Sequence, residues 1–152
     1  MSSRHLRGIL LLAALTALGS CASLRLAGDR GAASRVARLL ASRDAAELSR
    51  ISGSPFLIDG EVVPLPDDVA GFWRAVAQAG WKLEPGLVGS APAAPAEWRG
   101  LDDSMEVRAF FKNYVDERCR ILELSASSGG EALLLVRERL FSLDILGFRG
   151  PR

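Results

Sequence analysis

Phe56-Leu57-Ile58-Asp59-Gly60-Glu61-Val62-Val63 is the stretch that decides how this chain folds. Two apolar, β-favouring runs flank Asp59-Gly60, and Asp-Gly is a preferred loop for a type I′ hairpin, where both central residues take positive φ. Pro64 and Pro66 end the hairpin, and beyond them the period changes. Val69, Phe72, Trp73, Val76 and Ala77 recur at i, i+3, i+4, i+7 and i+8. That spacing predicts an amphipathic helix, opened by Asp67 and closed by Gly80. Upstream, Ser34 predicts the cap of a helix reaching about Leu40. Asp44 with Glu47 predicts a second helix, with Leu48 and Ile51 inward and Gly53 and Pro55 as its stop.

Downstream, Trp81 to Gly100 is rich in Pro, Ala and Gly. A structureless loop of that length is unusual in a compact domain, so a strand is expected within Trp81 to Val88. A helix follows near 104–116, with Asp103 and Glu106 at capping-box spacing and Val107, Phe110, Phe111 and Tyr114 on its apolar side. The last third alternates from Arg120 to Ala126, turns at Ser127-Ser128-Gly129-Gly130, runs apolar from Ala132 to Val136, and alternates again from Phe141 to Phe148. These read as three antiparallel strands in a meander. The expected class is α+β, with N-terminal helices packed on one face of a curved antiparallel sheet.

The chain begins differently. Arg4 and Arg7 precede an apolar run from Ile9 to Leu18, and Leu18-Gly19-Ser20-Cys21 closes it. A positive start, a short apolar stretch and small residues make a secretory signal. The run falls well short of the ~20 residues needed to span a bilayer. Its ending resembles the lipobox of bacterial lipoproteins, which implies acylation of Cys21 and cleavage before it. Two or more acyl chains anchor stably to a membrane. Ala22 follows Cys21, and by the enterobacterial sorting rule that resemblance implies outer-membrane delivery. The expected organisation is a leader at 1–20, a lipidated tether at 21–33 and one domain at 34–152.

Composition narrows the chemistry. Of 19 basic residues, Arg4 and Arg7 fall in the leader, so 17 remain against 18 acidic ones, a balance that argues for no nucleic-acid partner. The sole histidine, His5, is also lost. The mature chain therefore has no imidazole for Ser-His-Asp or Cys-His catalysis or for the familiar zinc and iron sites. With Cys21 acylated, Cys119 has no second thiol to pair with, and the expectation is a buried structural thiol and a fold that needs no cofactor or metal.

From about residue 34 to 150 the chain resembles the NTF2-like (SnoaL-like, cystatin-type) superfamily. The resemblance rests on Arg43-Asp44-Ala45-Ala46-Glu47-Leu48, on Pro55 to Val63, on the Phe72-Trp73 helix and on strands ending Ile145-Leu146-Gly147-Phe148. The helix near 104–116 sits where that superfamily usually runs from strand to strand. The resemblance implies a cone whose open end holds a pocket, and the superfamily's enzymes place Asp, His or Tyr inside it.

The candidate residues are few. Asp67, Asp68, Asp102 and Asp103 precede helices, where carboxylates satisfy free N–H groups. Asp144 lies mid-strand between Leu143 and Ile145, either on a solvated face or turned inward as a base. Trp73, Phe110 and Tyr114 are core residues or the lining of a pocket. Trp98, in the Pro-rich stretch, either plugs a core edge or marks a contact. Arg137-Glu138-Arg139 reads as a charged hairpin tip. Two functions fit: a non-enzymatic envelope lipoprotein domain that binds a small apolar ligand or an envelope protein, or a SnoaL-like lyase or isomerase using a carboxylate such as Asp144. The absence of a paired acid–base constellation favours the first.

Overall fold

The computed structural model describes residues 25–93, 100–139 and 142–152. The expected leader, Cys21, Trp98 and Phe141, the residue expected to open the last strand, lie outside the described residues. Among the described residues, four helices and a six-stranded, curved, open sheet make an α+β fold.

Helix α1 covers residues 25–41. It reaches back into the stretch expected as a tether, and Ser34 lies inside it; the Ser34 hydroxyl donates to the Pro85 carbonyl. The buried positions Asp29, Ala32, Ala33, Val36, Ala37 and Leu40 follow the helical period. Asp44 N–H bonds the Leu39 carbonyl and Arg43 N–H that of Leu40, with Arg43 at φ 58°, a Schellman-type ending that uses arginine where glycine is usual. Helix α2 (Ala45–Arg50) follows, capped by Asp44 through the Glu47 N–H as expected. Glu47 also accepts from Arg35 and Arg50, which ties α2 to α1.

Strands β1 (Ser52–Ile58) and β2 (Glu61–Val63) form the expected hairpin, in register Phe56↔Val63 to Ile58↔Glu61. Asp59 at φ 47° and Gly60 at φ 100° give the type I′ geometry. Helix α3 (Pro66–Ala79) buries Val69, Trp73 and Ala77, and Gly80 closes it in the left-handed region. Its N-cap is Leu65, which makes no side-chain bond; Pro66 fills the first turn, so Asp67 complements the helix dipole rather than capping. Strand β3 (Leu83–Pro92), helix α4 (Met105–Tyr114), and strands β4 (Cys119–Ala126), β5 (Glu131–Glu138) and β6 (Leu143–Arg149) complete the chain. Ser104, not Asp103, caps α4 by accepting from Val107 N–H, and Glu106 instead accepts from Val62 N–H across to the hairpin.

The strand order is β2-β1-β6-β5-β4-β3. From β3 to β6 the strands form an antiparallel meander, but β1 lies parallel to β6. The sheet is thus mixed and not antiparallel throughout. Residues about ninety apart in sequence make this pairing, and no local turn signal reports it. Gly147 permits the close approach: a Cβ there would sit 3.0 Å from the Leu57 Cβ.

Helices cover both faces, another departure from the expected layout. On one face α1, α2 and α3 pack on Phe56, Leu122, Leu124, Leu134, Val136, Ile145 and Phe148. On the other, Val107, Phe110 and Phe111 of α4 pack on Leu57, Cys119, Leu133, Leu135 and Leu146. The apolar run Ala132–Val136 follows directly, because a strand covered on both faces has no solvated side.

Candidate functional site

Trp73 is fully buried, with ring centroids 5.9 Å from Phe56, 4.9 Å from Phe72 and 5.5 Å from Phe148. Its indole N–H donates to the Ser52 hydroxyl at 2.8 Å, and that hydroxyl donates to the Leu48 carbonyl. Trp73 is therefore core, and these rings fill the space between α3 and the sheet. Phe110 is core on the opposite face. Tyr114 stacks 5.4 Å from Phe110 with its ring half-exposed. The three candidate lining residues share no concavity.

A concavity of about 520 Å³ opens beside the aromatic core instead. Phe72, Ala75, Val76 and Ala79 of α3 form one wall; Trp81, just past Gly80, and Phe148 at the end of β6 form the other. Trp81 packs edge-on against Phe148 at 5.7 Å. Asp59 and Arg152 stand on its rim, and the Asp59 carboxylate accepts from Gly150 N–H at 2.7 Å, which closes the hairpin tip onto the C-terminal segment. The size suits a small organic ligand, and the walls are apolar with few polar groups. Phe72 and Trp81 are its sequence signals: the first sits on the edge of the α3 stripe, and the second is an aromatic residue beyond a helix-ending glycine.

Asp144 lies away from this concavity. It pairs with Arg139 at 2.7 Å, and its side chain is 22% exposed, midway between solvated and buried. Asp102 accepts from Asp103 N–H, and Asp103 pairs with Arg108.

A second, larger cleft of about 1100 Å³ lies where β4 begins and β5 ends. Arg25, Arg118, Arg120, Arg137 and Arg139 line it, with Glu117 and Glu138. The Arg137-Glu138-Arg139 segment is thus part of a cleft wall. Arg118 pairs with Asp116 at 2.7 Å, Arg120 with the buried Asp29 at 3.0 Å, and Arg137 reaches Asp116 at 3.7 Å and the Tyr114 carbonyl. Ser90 donates to Asp29 and accepts from Arg120, while Asp29 Oδ1 and Arg120 Nε have no hydrogen-bond partner among the described residues. Counting Asp29, Asp116 and Asp144 with the two glutamates, five guanidinium groups face five carboxylates, and the cleft is close to neutral.

Two electrostatic features escaped the sequence reading. Arg118 holds the Asp116 carboxyl well down, to about 2. Glu123 and Glu131 lie diagonally on one face of β4 and β5, since Glu131 pairs in register with Ser125. The hydrogen bond that a protonated Glu123 carboxyl donates to Glu131, with some burial and the nearby Glu131 charge, raises Glu123 above its ordinary range, and Arg149 opposes the shift. Cys119 is fully buried; burial raises its thiol, while the Asp116 N–H and the cross-strand Arg137 pull it down. Among the described residues no group of three or more His, Cys, Asp or Glu side chains could hold a metal ion. No described helix is long and apolar enough to cross a membrane.

Comparison with protein-family models, with curated proteins and with solved structures gave no match.

Proposed function

We propose that this chain is a lipid-anchored domain of the bacterial cell envelope, held through an acylated Cys21. Its role in this reading is to bind a small apolar ligand, or an apolar side chain of an envelope protein, without catalysing a reaction. Delivery to the outer membrane follows from Ala22 after Cys21. The observation that carries the binding role is the apolar concavity between Phe72, Val76, Trp81 and Phe148. Its rim holds one carboxylate, Asp59, already engaged by Gly150 N–H, and one arginine, Arg152, so a general acid–base pair is missing from it.

The NTF2-like relationship belongs to the same reading. Helices, hairpin, amphipathic helix and curved C-terminal strands come in the order the resemblance implies, and the concavity lies at the edge of the face covered by α1, α2 and α3. In this reading α4 is an elaboration between β3 and β4 that covers the opposite face.

The test is Ala79→Trp, which fills the concavity from the solvent side of α3. The full chain extracted from membranes should bind an apolar fluorescent probe such as anilinonaphthalene sulfonate, and native mass spectrometry should find an apolar molecule carried with it. Both signals should fall in A79W with an unchanged circular dichroism spectrum. Unchanged probe binding in A79W would sink this reading.

A further inference from the structure

We infer that the arginine-lined end of the fold rests on the bilayer and that Arg25, Arg118 and Arg139 take the phosphates of phospholipid headgroups. The inference rests on the acylated Cys21 proposed above. Three residues lie between Cys21 and Arg25, so four chain steps separate the anchor from the first described residue of α1, a lining residue of the cleft. Even fully extended, four residues reach only ~14 Å. An acylated Cys21 therefore keeps this end of the molecule within reach of the headgroup layer, and contacts of the cleft with the headgroups are left to hold the orientation.

The surface at that end suits the task. Leu26, beside Arg25, is 41% exposed and Tyr114 is 44% exposed, and the Tyr114 carbonyl is held by Arg137 of the cleft. Exposed apolar and tyrosine side chains among arginines are the mixture that settles at a membrane–water interface, with the aliphatic stems in the apolar layer and the guanidinium groups at the phosphates. Arg118 and Arg139 are 65% and 57% exposed, so their pairs with Asp116 and the half-buried Asp144 open onto solvent on the arginine side. Ion pairs so exposed are weak, whereas guanidinium binds phosphate in a two-pronged geometry. No ion pair engages Arg25 among the described residues. Glu138 lines the same cleft and suits the ammonium of an ethanolamine headgroup. A near-neutral cleft fits a zwitterionic bilayer surface better than it fits a free anion.

The strands supply a ruler. Glu117 precedes β4, and Ser128 lies in the turn at its far end, eight strand residues and so about 26 Å away. The experiment uses the full lipidated chain in vesicles of phosphatidylethanolamine and phosphatidylglycerol carrying a headgroup nitroxide. A fluorophore is attached at Glu117→Cys or at Ser128→Cys; Cys119 is buried and stays unlabelled. The label at 117 should be quenched several-fold more than the label at 128, and R118E/R139E should erase most of that contrast while the protein stays membrane-bound. Mass measurement of the Cys21 peptide separates the two ideas. An unmodified Cys21 would overturn the anchor and the orientation together. An acylated Cys21 with equal quenching at both positions would overturn the orientation alone, and a contrast unchanged in R118E/R139E would overturn the role of the arginines.

Discussion

Replacing Trp73 tests how much of the fold's stability this core residue carries. The indole is fully buried among Phe56, Phe72 and Phe148 and donates to Ser52, which in turn holds the end of α2 through Leu48. Truncating such a ring to alanine costs about 3–5 kcal/mol from lost transfer energy and the cavity left behind. Leaving the Ser52 hydroxyl without its donor adds about 1 kcal/mol. A total near 5 kcal/mol is a large part of a typical domain's stability of about 5–15 kcal/mol, so W73A should be partly unfolded at rest. Trp73→Phe retains one ring and should cost about 2 kcal/mol, which remains measurable. With a urea slope of about 2 kcal/mol per molar, its midpoint by circular dichroism should fall by about 1 M. Ser52→Ala alone should cost about 1 kcal/mol, and the W73F/S52A pair should cost less than the sum, because both remove the same bond. A pocket-lining indole has little packing to lose, so a W73A midpoint within about 0.5 M of wild type would refute the reasoning.

Cys119→Ala should cost about 1–2 kcal/mol, and the native thiol should resist labelling until the protein unfolds; rapid native labelling would contradict its burial. Asp116 and Glu123 predict opposite pH responses. Asp116, lowered by Arg118, contributes stability that is present above its unfolded value near 4 and lost as pH falls toward about 2; its exposed side chain limits this to a few tenths of a kcal/mol. Glu123 is raised, so its contribution is present at low pH and lost as pH rises through its folded value; Glu123→Gln should therefore stabilise the protein at neutral pH and not in acid, and a less stable E123Q at neutral pH would reverse the assignment. Cys21→Ser should release the chain from stable acyl anchoring, and membrane fractionation showing equal retention of both forms would remove the anchor.

Legibility in the sequence tracked how local the physics was. The β1–β2 hairpin was readable because a two-residue Asp-Gly loop fixes its own register, and α3 because large apolar residues repeat at its period before Gly80. The parallel pairing of β1 with β6 was not, since it depends on residues far apart that meet only after the meander has formed. Nor were the faces: the α4 pattern shows that one side is buried but not on which side of the sheet. Glu123 and Glu131 become neighbours only through the register of β4 with β5, and the concavity needs Trp81 of one segment against Phe148 of another.

The first half of α1 was hidden for another reason, and it alters the protein most. Its inward positions are alanines and one aspartate, so the period carries little hydrophobic contrast, and Gly28 and Gly31 read as linker. Packing supplies what propensity does not: Ala32 and Ala33 let the helix lie close on the sheet, and Asp29 is buried because Arg120 and Ser90 meet it there. A tether spanning 21–33 would have let the domain range over some 40 Å, with no surface of it favoured toward the lipid. Helical structure from residue 25 cuts that reach to a third. If Cys21 is acylated as proposed, contact between the cleft and the headgroups becomes an intramolecular event at high effective concentration, and individually weak arginine–phosphate pairs would suffice to hold one orientation.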